Sequence, residues 1–179
     1  MFSMAKVRIH DKAVPFDLPG ADGVNHSLSE YTGKTVAVIF SCNHCPYVRA
    51  WEDRMVQVQA DYASKGVQLV AINANDASRY PEDSFEKMKQ RAREKRFNFP
   101  YLRDESQAIA RAYGAERTPE VFLFDKMGTL RYHGVIDDNY DDPRSVKVKY
   151  LRDALEAVLS GAEPQTIETV PIGCSIKWK

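Results

Sequence analysis

An uninterrupted apolar run that ends in two closely spaced cysteines is the feature that most constrains this chain. The run Thr35–Phe40 has no polar alternation and is rich in β-branched residues, which predicts a buried central strand. Cys42 and Cys45 follow it as a Cys-x-x-Cys motif. Apolar residues then recur at three- and four-residue steps, which predicts an amphipathic helix. Its apolar face comprises Val48, Trp51, Met55, Val58 and Tyr62.

The junction between this strand and this helix gives the two cysteines a chemical setting. Unpaired backbone N–H groups at a helix start, together with the positive end of the helix dipole, favour a thiolate over a thiol. The motif therefore predicts a redox-active dithiol.

A metal site and a pair of inert buried thiols are the alternatives. A closed structural zinc site needs four ligands, which usually come from a second paired cluster. Here the remaining cysteine is Cys174, which stands alone, and His10, His26 and His133 are scattered along the chain. Redox chemistry is therefore favoured, and neither a metal nor another cofactor is expected.

Length and composition set the broad class. At 179 residues the chain predicts a single domain, with a core of about residues 15–160 and a C-terminal tail at residues 161–179. The 25 basic and 25 acidic residues cancel, so neither nucleic acid nor an anionic membrane is an expected partner. A monomer or a weak homo-oligomer is expected.

The expected compartment is the cytoplasm. Three cysteines, two of them in one motif, do not form the disulfide framework of a secreted protein. Residues 1–6 lack the apolar region of a signal peptide, and no apolar run reaches the length of a membrane span.

Other apolar segments predict the partners of the central strand. Residues 67–72 form a second core strand, which is parallel to the first because a helix connects the two. Residues 121–124 and 129–135 form an antiparallel pair around a tight turn. Short apolar pieces on either side of Asp22 and Gly23 predict an N-terminal hairpin.

Two helices and a tail complete the prediction. Asp83, with Glu86 three residues later, fits the start of a helix. Apolar spacing over residues 148–158 predicts the last helix. Residues 164–179 are too apolar for a free disordered end, so they should pack back on the domain. The acidic segment 137–142 lacks the glycine of a calcium loop and is expected to be a solvated loop.

The order of these elements, with Thr118-Pro119 ahead of the antiparallel pair, resembles the thioredoxin superfamily. The Leu-Pro-Gly-Ala-Asp-Gly hairpin, the insertion between Asn73 and Phe99, and Asn98-Phe99-Pro100 resemble its peroxiredoxin-like branch, of the alkyl hydroperoxide reductase/thiol-specific antioxidant (AhpC/TSA) type. The resemblance covers roughly residues 15–160. It implies an α/β, thioredoxin-like fold: a central mixed β-sheet flanked by helices, with an N-terminal β-hairpin and a C-terminal tail.

Departures from this family bear on the activity. In peroxiredoxins a proline and a hydroxyl residue precede the peroxidatic cysteine, and an arginine lies further along the chain. These positions fall on Val38, on Cys42 and near Pro119, which weighs against fast peroxidase chemistry. The buried aspartate of thioredoxins would fall on Val36, so no acid that deprotonates the second thiol is visible.

The resemblance implies a thiol–disulfide oxidoreductase. Cys42 is expected to be exposed at the helix N-terminus and to attack a disulfide, and Cys45 to resolve the mixed disulfide. His44 resembles the histidine between the cysteines of protein disulfide isomerases, and it would favour a Cys42 thiolate. The partners implied are a disulfide-containing protein or a small thiol substrate and an unidentified reductant. A Cys45-based peroxidase and a non-enzymatic redox-sensing or metal-holding module are the alternatives.

Thr118, Pro119 and Cys174 are the remaining candidate site residues. The resemblance implies a cis Thr118–Pro119 bond that faces the cysteines and leaves the Thr118 backbone free to pair with an extended substrate. Tyr47 could form an apolar rim for that substrate, whereas Trp51 fits the core better. Cys174 is either a small buried residue or a third redox residue that the tail brings to the other two cysteines.

Overall fold

The predicted central strand lies in the middle of a five-stranded mixed sheet in the computed structural model, which describes residues 6–179. In spatial order this sheet is β5-β4-β3-β7-β8. Strand β4 runs parallel to β3, and β5 parallel to β4, whereas β7 is antiparallel to both β3 and β8. The strands are β1 Asp17–Pro19, β2 Asn25–Ser27, β3 Thr35–Phe40, β4 Val67–Asn73, β5 Tyr101–Arg103, β6 Arg117–Thr118, β7 Glu120–Phe124, β8 Leu130–Gly134 and β9 Cys174–Ser175.

Helices cover both faces of this sheet. The α-helices are α1 Pro46–Tyr62, α2 Phe85–Glu94, α3 Ala108–Tyr113 and α4 Tyr150–Leu159. Short 3₁₀ helices cover Leu28–Tyr31, Ala63–Lys65, Pro81–Asp83 and Pro143–Ser145. The predicted helix after the cysteines and the predicted last helix are therefore both present. None of the helices within residues 6–179 is long and apolar enough to cross a membrane.

Strand β3 supplies side chains to two separate cores. Ala37 and Ile39 pack with α1 and α4, whereas Val36, Val38 and Phe40 pack with α3 on the opposite face. Successive side chains of a strand point to opposite faces. Because both faces are covered, every residue of β3 is buried, which accounts for the absence of polar alternation in its sequence.

The N-terminal hairpin is present as predicted. Strands β1 and β2 pair antiparallel, and Gly23 in the connection has a φ of 85°, which suits glycine. The hairpin lies across the sheet edge, because Gly20 forms a bridge with Leu102.

Two local predictions are wrong. Helix α2 begins at Phe85, and its cap is Ser84, whose hydroxyl accepts a hydrogen bond from the Lys87 N–H at 3.2 Å. Asp83 is instead completely buried. The acidic loop is not fully solvated either, since Asp137 is buried and accepts a hydrogen bond from the Trp51 indole at 3.0 Å.

The C-terminal tail packs back along the domain. Thr169 donates its N–H to the His133 carbonyl of β8. Further on, β9 pairs antiparallel with β6, so that Cys174 lies opposite Thr118. Ile176 is then buried in the core beneath α3. The assignment of the whole chain to one domain stays a prediction, as does the interpretation of residues 1–5, which lie outside the described residues.

Replacing Gly173 with alanine should loosen this tail. A Cβ at residue 173 would overlap the carbonyl oxygen of Thr118. Backbone shifts of this kind cost about 1–3 kcal/mol, so Gly173→Ala should lower the free energy of unfolding by that amount in denaturant titrations. The matched control is Ser175→Ala, on the exposed side of the same strand, which should change it by less than about 0.5 kcal/mol. Equal stability of the two variants would contradict the close packing of this tail.

Candidate active site around the cysteine pair

Both cysteines of the motif lie at the carboxyl end of β3, where α1 begins. Cys45 is the N-cap residue of α1, and Pro46 occupies the first helical position. Proline suits that position because it has no N–H to leave unpaired. Cys42 lies three residues earlier and is only 3% exposed, and Cys45 is fully buried. The expectation that Cys42 is exposed at the helix N-terminus is therefore wrong, since Cys45 holds the capping position.

Thr118 contacts both thiols. Its hydroxyl oxygen lies 3.4 Å from Cys42 Sγ, and its carbonyl oxygen lies 3.4 Å from Cys45 Sγ. The Thr118–Pro119 peptide bond is cis, as expected. The structure thus brings Cys42, Cys45, Thr118 and Pro119 together at one point.

Cys45 is the cysteine that this environment ionises. The Cys42 thiol donates to its sulfur and is the main reason that the pKa of Cys45 is lowered to about 4, against the opposing effect of burial. The thiol and the backbone N–H of Cys174 and the N–H of Val48, in the first turn of α1, lower the pKa further. A thiolate at a helix N-terminus that also receives two thiol donors is strongly stabilised.

Cys42 is correspondingly the protonated partner. Its pKa is raised because its thiol donates to Cys45, because it is buried, and because the Asp83 charge lies nearby. The directions of the two pKa shifts favour Cys45 as the thiolate, whereas the sequence led us to expect a Cys42 thiolate favoured by His44.

Cys174 completes a cluster of three sulfur atoms. It packs, half-buried, against the small cluster formed by Cys42, Cys45 and Val48. Burial and the neighbouring Cys45 raise the pKa of Cys174 to about 11. The sequence led us to expect that the Thr118 backbone is free to pair with a substrate strand. That expectation is wrong, because β9 pairs with Thr118 at this point.

His44 lies beside Cys42 and Asp83, with a ring nitrogen within 4.8 Å of the Cys42 sulfur. Its Nδ1 lies 2.6 Å from Oδ2 of Asp83. Its ring is parallel to that of Tyr80, with 5.9 Å between the ring centroids. His44 is therefore held by the segment that follows β4.

Asp83 organises the loop between the two cysteines, and sequence analysis missed it. One carboxylate oxygen accepts from the Asn43 N–H at 2.7 Å, and the other accepts from the Asn75 side chain at 2.9 Å. Tyr101 donates its hydroxyl to Asn43 Oδ1 at 2.8 Å. An available signal was that Asn73 ends the buried parallel strand β4 and Asn75 follows it, at the carboxyl ends of the strands, where the cysteines also lie.

Glu120 is a second buried acid that sequence analysis missed. It follows Pro119 and accepts hydrogen bonds from the N–H groups of Glu116 and Arg117 at 2.7 and 3.1 Å. Its other oxygen contacts His133 Nε2 at 2.7 Å. Glu120 therefore fixes the backbone that leads into Thr118.

A divalent metal has one candidate set of ligands in the part of the chain that the structure describes. Ligand atoms of Cys42, His44 and Asp83 lie within 4.8 Å of one another. However, His44 and Asp83 already pair with each other, and the Asp83 oxygens accept hydrogen bonds from Asn43 and Asn75. These residues could hold a metal only after exchanging those contacts.

The aromatic residues near the motif divide as the sequence indicated. Trp51 is 1% exposed and belongs to the core. Tyr47 is half-buried, packs against the cysteine cluster, and contacts the ring of Tyr140 with 4.4 Å between centroids. Tyr47 and Tyr140 thus form an aromatic rim beside the cysteines.

The chain is similar to a known protein family and to solved structures. The model of the AhpC/TSA family matches residues 9–133, more than half of the chain. The chain belongs to the AhpC/TSA family. This confirms the predicted family. An uncharacterised conserved protein from Geobacillus kaustophilus has a crystal structure similar to this AhpC/TSA protein, with 40% identity, a TM-score of 0.91, and coverage of 96% of this chain and 93% of that one.

Two further relatives carry printed activities. A thiol:disulfide interchange protein of the thioredoxin family from Chlorobium tepidum has the same fold, with a TM-score of 0.63, 24% identity, and coverage of 77% of this chain and 93% of that one. The predicted thioredoxin-like fold is thereby confirmed. The thiol-disulfide oxidoreductase ResA of Halalkalibacterium halodurans is 28% identical over 123 residues, which are 69% of this chain. The matched region spans 66% of that relative's length.

Replacing Asp83 with asparagine should weaken both the loop and the ionisation pattern. An amide can accept on one atom only, so a buried donor loses its partner and the free energy of unfolding should fall by about 1–3 kcal/mol. The pKa of Cys42 should also fall, because the Asp83 charge contributes to raising it. Denaturant and thiol titrations measure the two effects. The control is Glu82→Gln, an exposed neighbour that should change neither the free energy of unfolding nor the pKa of Cys42. Equal effects of the two variants would contradict the role of Asp83 in this loop.

The ultraviolet absorbance of thiolates should reveal the charge on Cys45. The reduced protein should show one thiolate at neutral pH that is protonated only as the pH falls towards the Cys45 pKa of about 4. Cys42→Ala and Cys174→Ala should each raise this midpoint, the first by more, because each removes a donor to Cys45 and Cys42 is the principal one. Cys45→Ser should remove the transition; its persistence in that variant would assign the thiolate elsewhere.

Proposed function

We propose that this protein is a thiol–disulfide oxidoreductase, which exchanges a Cys42–Cys45 dithiol or disulfide with a disulfide of a protein or a small molecule. The observation that carries the proposal is the packing of the Cys42 and Cys45 sulfur atoms together against Thr118 at the start of α1, an arrangement that lowers the pKa of Cys45 and raises that of Cys42. A thiolate is the species that attacks a disulfide, and a neighbouring thiol is what releases the mixed disulfide that results. The printed activities of the ResA and thioredoxin-family relatives agree with this class of reaction.

Cys45 is proposed as the attacking sulfur and Cys42 as the one that closes the internal disulfide. Two electrons leave the pair when the Cys42–Cys45 bond forms, and they reduce the substrate disulfide to two thiols. This reverses the roles expected from the sequence, because Cys45 rather than Cys42 caps α1. Thr118 is a positioning residue, since its hydroxyl lies at Cys42 and its carbonyl at Cys45.

His44 and Asp83 are proposed to shape the loop between the cysteines. Asp83 holds the Asn43 backbone and contacts His44, so the two residues set the path of the chain from Cys42 to Cys45. In this proposal His44 acts on the pair through Asp83, whose charge helps to keep Cys42 protonated.

The proposed partners are a disulfide-containing substrate and a thiol reductant that renews the dithiol. The proposed compartment is the cytoplasm. Support comes from the three cysteines, which cluster at one site and so form no structural disulfide framework of the kind found in secreted proteins. Trapping the thiols in intact cells with an alkylating agent would test the compartment: predominantly reduced protein is expected, whereas fully oxidised protein would contradict it.

Cys45→Ser should abolish disulfide exchange. Reduction of insulin disulfides with dithiothreitol should fall to the uncatalysed rate, because the variant lacks the only thiolate stabilised within the described residues 6–179. Cys42→Ser should lose most turnover but retain the thiolate, whose helix cap and Cys174 donor remain. Wild-type protein oxidised by glutathione disulfide should contain the Cys42–Cys45 bond.

Parallel assays separate this proposal from the alternatives. Wild-type protein that consumes hydrogen peroxide rapidly but leaves insulin intact would indicate a Cys45-based peroxidase. Stoichiometric zinc on purified protein, with neither reaction, would indicate a metal-holding module at Cys42, His44 and Asp83. Either result would overturn the proposed exchange activity.

A further inference from the structure

The proposed dithiol is almost closed to solvent. Cys42 is 3% exposed and Cys45 is fully buried, whereas Cys174 is partly exposed. An external disulfide therefore meets Cys174 before it meets either cysteine of the motif.

The tail that carries Cys174 is firmly attached on both sides. Residues after it are anchored, because the Lys177 N–H donates to Asn75 at 2.9 Å and the Gln107 side chain donates to the Lys177 carbonyl at 2.9 Å. Ile176 is 4% exposed, and the Arg111 guanidinium lies over the Trp178 ring at 4.4 Å. On the N-terminal side of Cys174, Gly173 packs so closely against Thr118 that a Cβ at residue 173 would overlap the Thr118 carbonyl oxygen. Cys174 is thus a fixed part of the site rather than a loose cover.

The position of Cys174 is that of a bound disulfide partner. An extended substrate was expected to pair with the Thr118 backbone, and β9 pairs there instead, with Cys174 opposite Thr118. At that register the Cys174 sulfur lies beside the Cys45 sulfur. A thiol fixed next to a thiolate in this way has a high effective concentration for exchange.

We propose that Cys174 is a third catalytic cysteine, which carries disulfide bonds between external partners and the buried Cys42–Cys45 pair. The inference rests on the proposed exchange activity and names the sulfur through which that activity reaches the solvent. The substrate class that fits is a disulfide on a partner surface or a small molecule, which needs to reach only Cys174.

The relay takes three exchanges. Cys174 gives its proton to water, and its thiolate attacks the external disulfide, forms a mixed disulfide with one of the two sulfur atoms and expels the other, which takes a proton from water. The Cys45 thiolate then attacks Cys174 Sγ, forming a Cys45–Cys174 bond and expelling the second external sulfur, which takes a proton from water. Cys42 finally attacks Cys45, and its proton goes to Cys174 as that thiol is restored. Two electrons pass from the Cys42–Cys45 pair to the external disulfide.

Exposed apolar residues next to Cys174 suit contact with a partner. Ile172 is 47% exposed and Val170 is 82% exposed, although both belong to the same tail that buries Ile176. Such side chains leave apolar surface available within four residues of the proposed entry thiol.

The first experiment looks for the intermediate bond. Reduced Cys42→Ser protein is equilibrated with glutathione and glutathione disulfide, quenched in acid, digested and analysed by mass spectrometry. The expected product is a Cys45–Cys174 disulfide between the two peptides, whereas the matched Cys42→Ser, Cys174→Ser variant, which lacks the relay, should acquire glutathione on Cys45 only slowly. Glutathione on Cys45 of the Cys42→Ser protein, with Cys174 free, would overturn the proposal.

The second experiment measures the entry step. Cys174→Ser should reduce a small external disulfide at least about tenfold more slowly than wild type, since the buried pair loses its relay. The Cys42–Cys45 bond should still form when that variant is oxidised, which shows that the pair is intact. Ser175→Ala, the exposed neighbour on the same strand, should react at the wild-type rate. An unchanged rate in Cys174→Ser would contradict the relay.

The two proposals fail in different ways. If wild-type protein reduces insulin and Cys174→Ser does so equally well, the exchange activity stands and the role of Cys174 is wrong. If wild-type protein neither reduces insulin nor forms a Cys42–Cys45 bond, the exchange activity itself is wrong. Melting temperatures of all variants guard against loss of the fold as the cause.

Discussion

One residue, Thr118, contacts all three cysteines of the site. Its hydroxyl contacts Cys42, its carbonyl contacts Cys45, and its backbone pairs with the strand of Cys174. Sulfur atoms are poor hydrogen-bonding partners, so they give little geometric control by themselves. The control comes from a rigid backbone segment, which Glu120 fixes from the other side through two N–H groups.

The charge distribution depends on this geometry. Burial alone would raise the pKa of all three thiols. Two of them instead serve as donors to the third, so the negative charge rests on Cys45, which also lies at the start of α1. Asp83 adds a second buried negative charge near Cys42, which favours keeping the Cys42 proton in place. Electrostatic repulsion and donation therefore act in the same direction.

The sequence predicted what depends on local periodicity. The central strand, helix α1 and the N-terminal hairpin follow from apolar spacing and from turn residues, and the structure contains each of them. Pro46 even marks the first residue of α1, a signal that would have placed Cys45 rather than Cys42 at the helix start. Family motifs pointed to Thr118 and Pro119, whose local spacing alone carries no such information.

Contacts between distant segments could not be read in this way. Asp83 looked like a helix cap because caps are short-range patterns, yet its partners include Asn43, forty residues earlier. The position of Cys174 in the fold depends on residues such as Ile176 and Lys177, whose contact residues are distant from them in the sequence. Such contacts form only once the sheet has brought these distant segments together.

The odd number of sulfur atoms in the cluster has a consequence for its oxidised states. A disulfide joins two sulfur atoms, so any bond within the cluster of Cys42, Cys45 and Cys174 leaves one of them single. The protein thus keeps a nucleophilic sulfur in every internally bonded state. Its internally oxidised form therefore retains a thiol that can form a mixed disulfide with a second molecule, whereas a site of two cysteines has no thiol left once it is oxidised.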